Sequence, residues 1–182
     1  MDRGLVELAQ RGDRDAFAGL VRAVGDRLYA LAYRILRDPD AAQDAYQDAM
    51  ITVWRQLPNL RDPDRFEAWA HRILVHRCYR ESRRRTRLVT GARVEDIGVP
   101  VTDARLAIHD RDELERAFRG LSLEHRAVFV LHHHLGLALT EVAATLGIPD
   151  GTARSRLHYA TQALRRALDA GDPLPAPKEG VA

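Results

Sequence analysis

The chain has 182 residues, 46% hydrophobic and 30% charged, with a formal net charge of +2. That length suits one ordinary domain or two small ones, and the composition is that of a globular, soluble protein. Cys78 is the only cysteine, which excludes an intrachain disulfide and fits a reducing cytoplasm, and no apolar run is long enough to span a membrane.

The start, MDRGLVELAQRGD, reads as an amphipathic helix rather than a signal peptide, so no membrane insertion is expected. From Asp13 to Arg37, Phe17, Leu20, Val21, Val24, Leu28, Leu31, Ala32 and Ile35 recur every three or four residues. This predicts a long amphipathic helix with Asp13 as its cap. Asp38 and Pro39 break it. A second helix is expected from about Asp40 to Leu57, burying Ala42, Ala45, Ala49, Val53 and Trp54. Its opposite side carries Asp44, Gln47, Asp48 and Arg55. After the turn from Pro58 to Pro63, a third helix is expected from about Asp64. Three helices with short connections can bury their stripes only against each other, so this half should be a small bundle.

The third helix runs into a cationic cluster: Arg77, Arg80, Arg83, Arg84, Arg85 and Arg87, with Glu81 the only acid among them. A dense cationic strip repels itself unless an anion is its partner. Phe66 and Trp69 lie three apart on the same helix, with Arg72 and His76 further along that side. Aromatics among arginines can stack unpaired bases while the cations hold phosphates; equally, the two rings can be core.

Periodicity fades from about Thr86 to His109, which predicts a linker. A second helical block follows. Leu114, Ala117, Phe118 and Leu121 mark one helix; Val128, Val130, Leu131 and Leu135 mark the next, capped by Ser122. Then comes TEVAATLGIPDGTARSRLHYA, from Thr140 to Ala160. Leu139, Val142, Ala143 and Leu146 share one face. Gly147 stands where a helix commonly ends left-handed. Thr152 is the first cap candidate for the next helix and Asp150 the second; Ala153, Leu157, Ala160, Leu164 and Leu168 form its buried stripe. Two short helices about a tight turn make a helix-turn-helix, whose second helix can enter a DNA major groove. Arg154, Ser155 and His158 share its outward side, and Arg is suited to bidentate contact with guanine. After Leu168 the chain turns Gly/Pro-rich and reads as a frayed tail.

His132, His133 and His134 are consecutive. Adjacent helical residues point about 100° apart, so the three cannot ligate one ion together, and no metal site or other cofactor is expected. Cys78 is read as a quiet helix cysteine, although neighbouring arginines could lower a thiol pKa.

RILRDPDAAQDAYQDAMITVWRQL and FEAWAHRILVHRCYRESRRR resemble region two of bacterial RNA polymerase sigma factors of the extracytoplasmic-function (ECF) group. LSLEHRAVFVLHHHLGLALTEVAATLGIPDGTARSRLHYA resembles their region four. The resemblance implies an all-α fold of two small helical domains joined by a flexible linker. It places the region-two-like domain at residues 1–86, the linker at 87–109, the region-four-like domain at 110–170 and the tail at 171–182. It also implies binding to core RNA polymerase and promoter DNA, control by an anti-sigma factor, and no enzymatic activity of its own.

Carried over residue by residue, the resemblance makes Asp40, Asp44, Gln47 and Asp48 core-polymerase contacts. Phe66, Trp69, Arg72, His76, Arg77, Arg80, Arg83 and Arg84 become minus-ten DNA contacts, and Thr140, Thr152, Arg154, Ser155, Arg156 and His158 minus-thirty-five contacts. His76 and Arg80 depart from the Asn and the acid common in relatives, and Tyr159 and Thr161 stand where many carry Arg. No promoter sequence is therefore implied. Two rivals stay open on residues alone: a stand-alone helix-turn-helix regulator, and a sensor built on the histidines and Cys78.

Overall fold

The computed structural model of the chain describes residues 1–90 and 109–170. The described elements are α1 (Arg3–Gln10), α2 (Arg14–Leu36), α3 (Pro39–Gln56), α4 (Phe66–Thr90), α5 (His109–Gly120), α6 (Leu123–His133), α7 (Leu139–Leu146) and α8 (Asp150–Ala170). Two 3-10 turns, Leu57–Asn59 and Pro63–Arg65, join α3 to α4. No strand occurs among the described residues.

Local chemistry sets the helix ends. Asp2 accepts from the Gly4 amide, Asp13 from the Asp15 and Ala16 amides, and Asp38 from the Ala41 amide at 2.7 Å. Pro39 then sits at the first helical position, where its missing N–H is no loss. Ser122 caps α6 by accepting from the His125 amide. Gly147 closes α7 at φ 68°, and a Cβ there would meet nothing within 4 Å. Its role is thus the left-handed turn expected at that position.

The stripes pack as the periodicity requires. α2, α3 and α4 pack mutually, with α1 against α2. Leu20, Leu28, Leu31, Ile35, Ala42, Ala45, Ala49, Val53, Leu74 and Val75 are buried. Trp54 rests on Phe17 with ring centroids 4.8 Å apart. α2 and α3 approach closely at Gly25, where an added Cβ would lie 2.8 Å from the Tyr46 hydroxyl. In the second domain α8 packs on α5, α6 and α7 through Ala153, Ala160, Ala163, Leu164 and Ala167.

Several expectations need correction. Asp64 lies in a 3-10 turn, and α4 begins two residues later. α4 then continues to Thr90, past the expected boundary at 86. α8 begins at Asp150, so Thr152 lies inside its first turn and is not the cap. The linker expected at 87–109 otherwise lies outside the described residues, as do the tail and the side chains of Leu114 and Leu168. The two domains do not stand apart: α6 packs on α2 and α7 on α4. Ala127, Val128, Val130, Leu131 and Val142 join one continuous buried cluster with the α2 and α4 stripes.

Candidate polymerase and nucleic-acid interfaces

Three charged surfaces emerge from this packing. The first is the outer side of α3. With Ala41, Ala42, Ala45, Ala49 and Val53 turned inward, Asp40, Asp44, Gln47 and Asp48 are exposed. Sequence reasoning missed one member: Ile51, three residues beyond Asp48, is 49% exposed on this polar side. The signal for it was an apolar residue out of phase with the buried stripe.

Asp44 does not stand alone. Because α3 and α4 pack side by side, Asp44 and Asp38 meet the distal turns of α4. Arg84 Nη2 donates to Asp44 at 3.1 Å, and Arg85 donates to Asp38 at 3.1 Å and to Asp44 at 3.4 Å. Both arginines also donate to Glu81 at 2.8 Å, and Glu81 is only 7% exposed. The Arg84 bond, aided by Arg85, holds the Glu81 carboxyl below the usual carboxylate range against the opposing effect of burial. Arg84, expected as a DNA contact, is therefore engaged inside this acid cluster. Part of the cationic strip finds its anions within the chain.

The second surface is the remaining exposed row of α4. Ile73, Leu74, Val75 and Cys78 face the core, so Arg72, His76, Arg80 and Arg83 point outward. None of these four makes an ion pair among the described residues. Arg77 is half-buried at the edge of the row. Partial burial, then the charges of Arg72 and Arg77, push His76 below the ordinary imidazole pKa, so it is neutral at pH 7. Phe66 corrects the expectation of base stacking. It is 1% exposed and belongs to the core. Trp69 is half-buried against it, ring centroids 6.2 Å apart.

The third surface is the start of α8. Arg154, Ser155 and His158 are exposed on one side, and Thr140 at the start of α7 is exposed as well. The Ser155 hydroxyl donates to the Thr152 carbonyl at 3.0 Å. Arg156 is half-buried and close to both Tyr79 and His125: burial pushes the Tyr79 hydroxyl well above its ordinary pKa against the opposing charge of Arg156, while burial, then Arg156, holds His125 below the ordinary imidazole value. Tyr159 stacks on His125 with centroids 4.4 Å apart.

The histidine run has structural work. The His132 ring bonds through Nδ1 to the Leu137 carbonyl at 2.8 Å, tying the turn before α7, and His133 packs on Phe129. Among the described residues no group of three His, Cys, Asp or Glu is placed to hold a metal ion. Burial pushes the Cys78 thiol up to about 12, which suppresses thiolate chemistry. No described helix is long and apolar enough to cross a membrane.

Residues 20–88 match the Sigma-70 region 2 family, and residues 117–166 match Sigma-70 region 4. The chain is 40% identical over 155 residues to the ECF RNA polymerase sigma factor SigE of Mycolicibacterium smegmatis, covering 82% of this chain and 60% of that protein. It is 33% identical over 167 residues to SigM of Mycobacterium tuberculosis, covering 92% and 84%. Among solved structures, CnrH in complex with the cytosolic domain of CnrY is similar at TM-score 0.64 and 28% identity, covering 94% of this chain and 99% of that one. The sigma factor RpoE with the anti-sigma factor NepR, from Bartonella quintana, is similar at TM-score 0.66 and 25% identity, covering 86% and 98%. An acidic helix face, an arginine row on the helix beside it and a helix-turn-helix with an arginine on its reading side thus occur in the order of those two regions, and the chain belongs to the ECF RNA polymerase sigma factors.

Proposed function

We propose that this chain is a dissociable initiation subunit. It binds core RNA polymerase, directs it to promoters with minus-thirty-five and minus-ten elements, and assists their melting. The observation that carries this reading is the sorting of charge onto three faces. Asp40, Asp44, Gln47 and Asp48, with Ile51 as an apolar anchor, form a surface complementary to a basic partner, the polymerase. Arg72, His76, Arg77, Arg80 and Arg83 form a row able to hold phosphates and unpaired bases. A neutral His76 among these cations suits a base edge better than a phosphate, because it can both donate and accept. Arg154, Ser155 and His158 suit the duplex major groove, with Thr140, Thr152 and Arg156 at the margin.

The phosphodiester chemistry belongs to the polymerase, so the chain itself is not an enzyme, and it acts in the cytoplasm. The division of labour follows the two domains: docking and melting in residues 1–86, duplex reading in residues 110–170. The crystallised RpoE relative, bound to an anti-sigma factor, supports control of this chain by such a partner.

The test uses holoenzyme carrying Arg72→Ala together with His76→Ala. It should still reach closed promoters through the second domain but fail to open them. A template with a pre-melted minus-ten bubble should restore much of the transcript, since the unstacking cost of a few kcal/mol has been removed in advance. Permanganate reactivity of thymines and run-off transcription, on duplex and bubble templates, give the readout. If the double variant opens duplex promoters as well as the parent, the α4 row takes no part in melting.

A further inference from the structure

We infer that Tyr159 is a specificity-determining residue of α8, that it takes the C5-methyl group of a thymine in the major groove, and that His125 on α6 is the positioning residue that holds it there. This deepens the duplex-reading side proposed above and rests on that proposal.

Tyr159 lies four residues beyond Ser155 and next to His158, so it shares their outward side, opposite the buried Ala153, Ala160, Ala163 and Leu164. Its side is open to solvent, with the residue 39% exposed. A lone exposed ring is ordinary on a protein surface and carries nothing by itself. This one is clamped. The imidazole of His125 stacks on it, with ring centroids 4.4 Å apart and planes 23° apart. His125 is fixed in turn: its Nδ1 is bonded to the Ser122 hydroxyl at 2.9 Å, and Ser122 is the cap of α6. The first turn of α6 thus reaches across to α8 and covers one face of the phenol. Burial, then the nearby charge of Arg156, holds His125 below the ordinary imidazole value, so it stacks as a neutral ring at pH 7.

The clamp decides what the ring can do. A side chain already held in one rotamer loses little freedom on binding. Tyr159 brings no cation, so a phosphate gains little from it, whereas Arg154 on the same side supplies one. In the major groove every base pair presents donors and acceptors, and thymine alone adds an apolar group, its C5-methyl. Arg154, Ser155 and His158 are all polar. Ser155 also sends its hydroxyl proton back to the Thr152 carbonyl at 3.0 Å, so it offers the groove an acceptor only. The apolar feature of a thymine is therefore left to the free surface of the Tyr159 ring.

The test uses holoenzyme built from the full chain. It first selects duplexes from a promoter library randomised at the minus-thirty-five element. Each thymine of the selected element is then replaced singly by deoxyuridine, whose base lacks the methyl group, and affinity is measured by fluorescence anisotropy. The parent should lose about fourfold at one position, the effect of one buried methyl group. Tyr159→Ala should lose nothing there, and Tyr159→Phe should keep the parental loss. His125→Ala should reduce the loss, and His125→Phe, which restores a stacking ring, should bring it back. The thymine-to-uracil ratio is taken within each protein, so a lower folded fraction cancels, and a purely structural role for His125 would leave the ratio unchanged. Tyr159→Ala should retain the parental salt slope, since no phosphate contact is removed.

A uracil effect that survives in Tyr159→Ala, or one lost in Tyr159→Phe, overturns the assignment of the methyl to this ring. A shallower salt slope in Tyr159→Ala places the ring on the backbone and overturns it as well. A His125→Ala protein with the parental ratio removes the positioning role. An element selected without thymine, or indifference to every methyl, overturns this inference alone, whereas a parent holoenzyme that selects no element at all overturns the proposed function with it.

Discussion

Phe66 gives the sharpest test of how this site is assembled, because two roles are possible for an aromatic ring at the head of α4. At 1% exposure, with Trp69 packed on its ring, it is among the largest fully buried side chains of the chain. Truncating a buried Phe to Ala removes its transfer free energy and leaves a cavity, together about 3–5 kcal/mol. For a protein of this size that corresponds to a fall in Tm of roughly 6–20 °C. Phe66→Leu keeps most of the apolar volume and should cost less than about 1.5 kcal/mol. Urea and thermal unfolding of both variants, followed by circular dichroism, give the stability; transcription from a duplex promoter at 20 °C gives the function. If the ring is core, Phe66→Leu transcribes normally and Phe66→Ala loses activity only in step with its unfolded fraction. A Phe66→Leu protein that is stable but cannot open promoters would refute the assignment and return Phe66 to base stacking.

Other outcomes follow from the same geometry. Asp48→Arg should weaken core binding by a few kcal/mol in a pull-down titration if Asp48 meets a close basic partner, with Tm hardly changed because the side chain is exposed. Normal affinity would remove this face from the interface. Arg154→Ala should cost about 1–3 kcal/mol and relax preference at one promoter position if it pairs with guanine; a phosphate contact would instead weaken all sequences alike and lower the salt slope by about 1. His71 and His125 are both held below the ordinary imidazole pKa, first by burial, with Arg27 and Arg156 respectively adding to it and Glu67 and Glu124 opposing. As pH falls through about 6.5 the unfolded chain takes up their protons first, so stability declines below that pH and is fully present above it. Tm should therefore drop between pH 7.5 and 5.5, and a His71→Asn, His125→Asn protein should drop less.

The helices were legible because each buries a single stripe against partners close in sequence. The caps Asp13 and Ser122 needed only the identity of one residue before a periodic run, whereas Asp38 reads in the sequence as a helix breaker and caps α3 in the structure. Phe66 was not decidable on that basis: it lies at a helix start, where core and surface phases have not yet separated. The acid cluster was illegible for a different reason. Asp44 and Arg84 were each assigned to an outward surface, and nothing local says that α3 and α4 bring them within 3.1 Å across 40 residues of chain. The contact between the two domains was hidden most completely. Arg37 reads as a polar residue after a helix, yet its left-handed backbone aims it into a domain whose partner residues, Glu115 and Phe118, lie more than 70 positions later in the sequence.

These contacts make α4 the shared part of the molecule. Its inner face completes the first domain's core, and one outer row, Arg72, His76, Arg80 and Arg83, faces solvent. One edge, Glu81, Arg84 and Arg85, is tied to Asp38 and Asp44 on α3; another, at Tyr79, lies against the second domain close to Glu124 and Arg156. A basic partner that takes Asp44 must compete with Arg84 and Arg85 for one carboxylate. Exposed pairs of this kind contribute little, about 0–1 kcal/mol each, so the exchange is nearly neutral for docking. For α4 it is not neutral in charge. Arg84 and Arg85 would lose one of their acids, leaving the distal turns of the helix more cationic beside the row proposed to face DNA. If that row holds single-stranded DNA as proposed, docking on α3 should strengthen its positive potential without any change of fold, and an Asp44→Asn protein should display that added DNA affinity even in the absence of polymerase, as a steeper salt dependence of single-strand binding. Single-strand affinity and salt slope identical to those of the parent would separate the two surfaces.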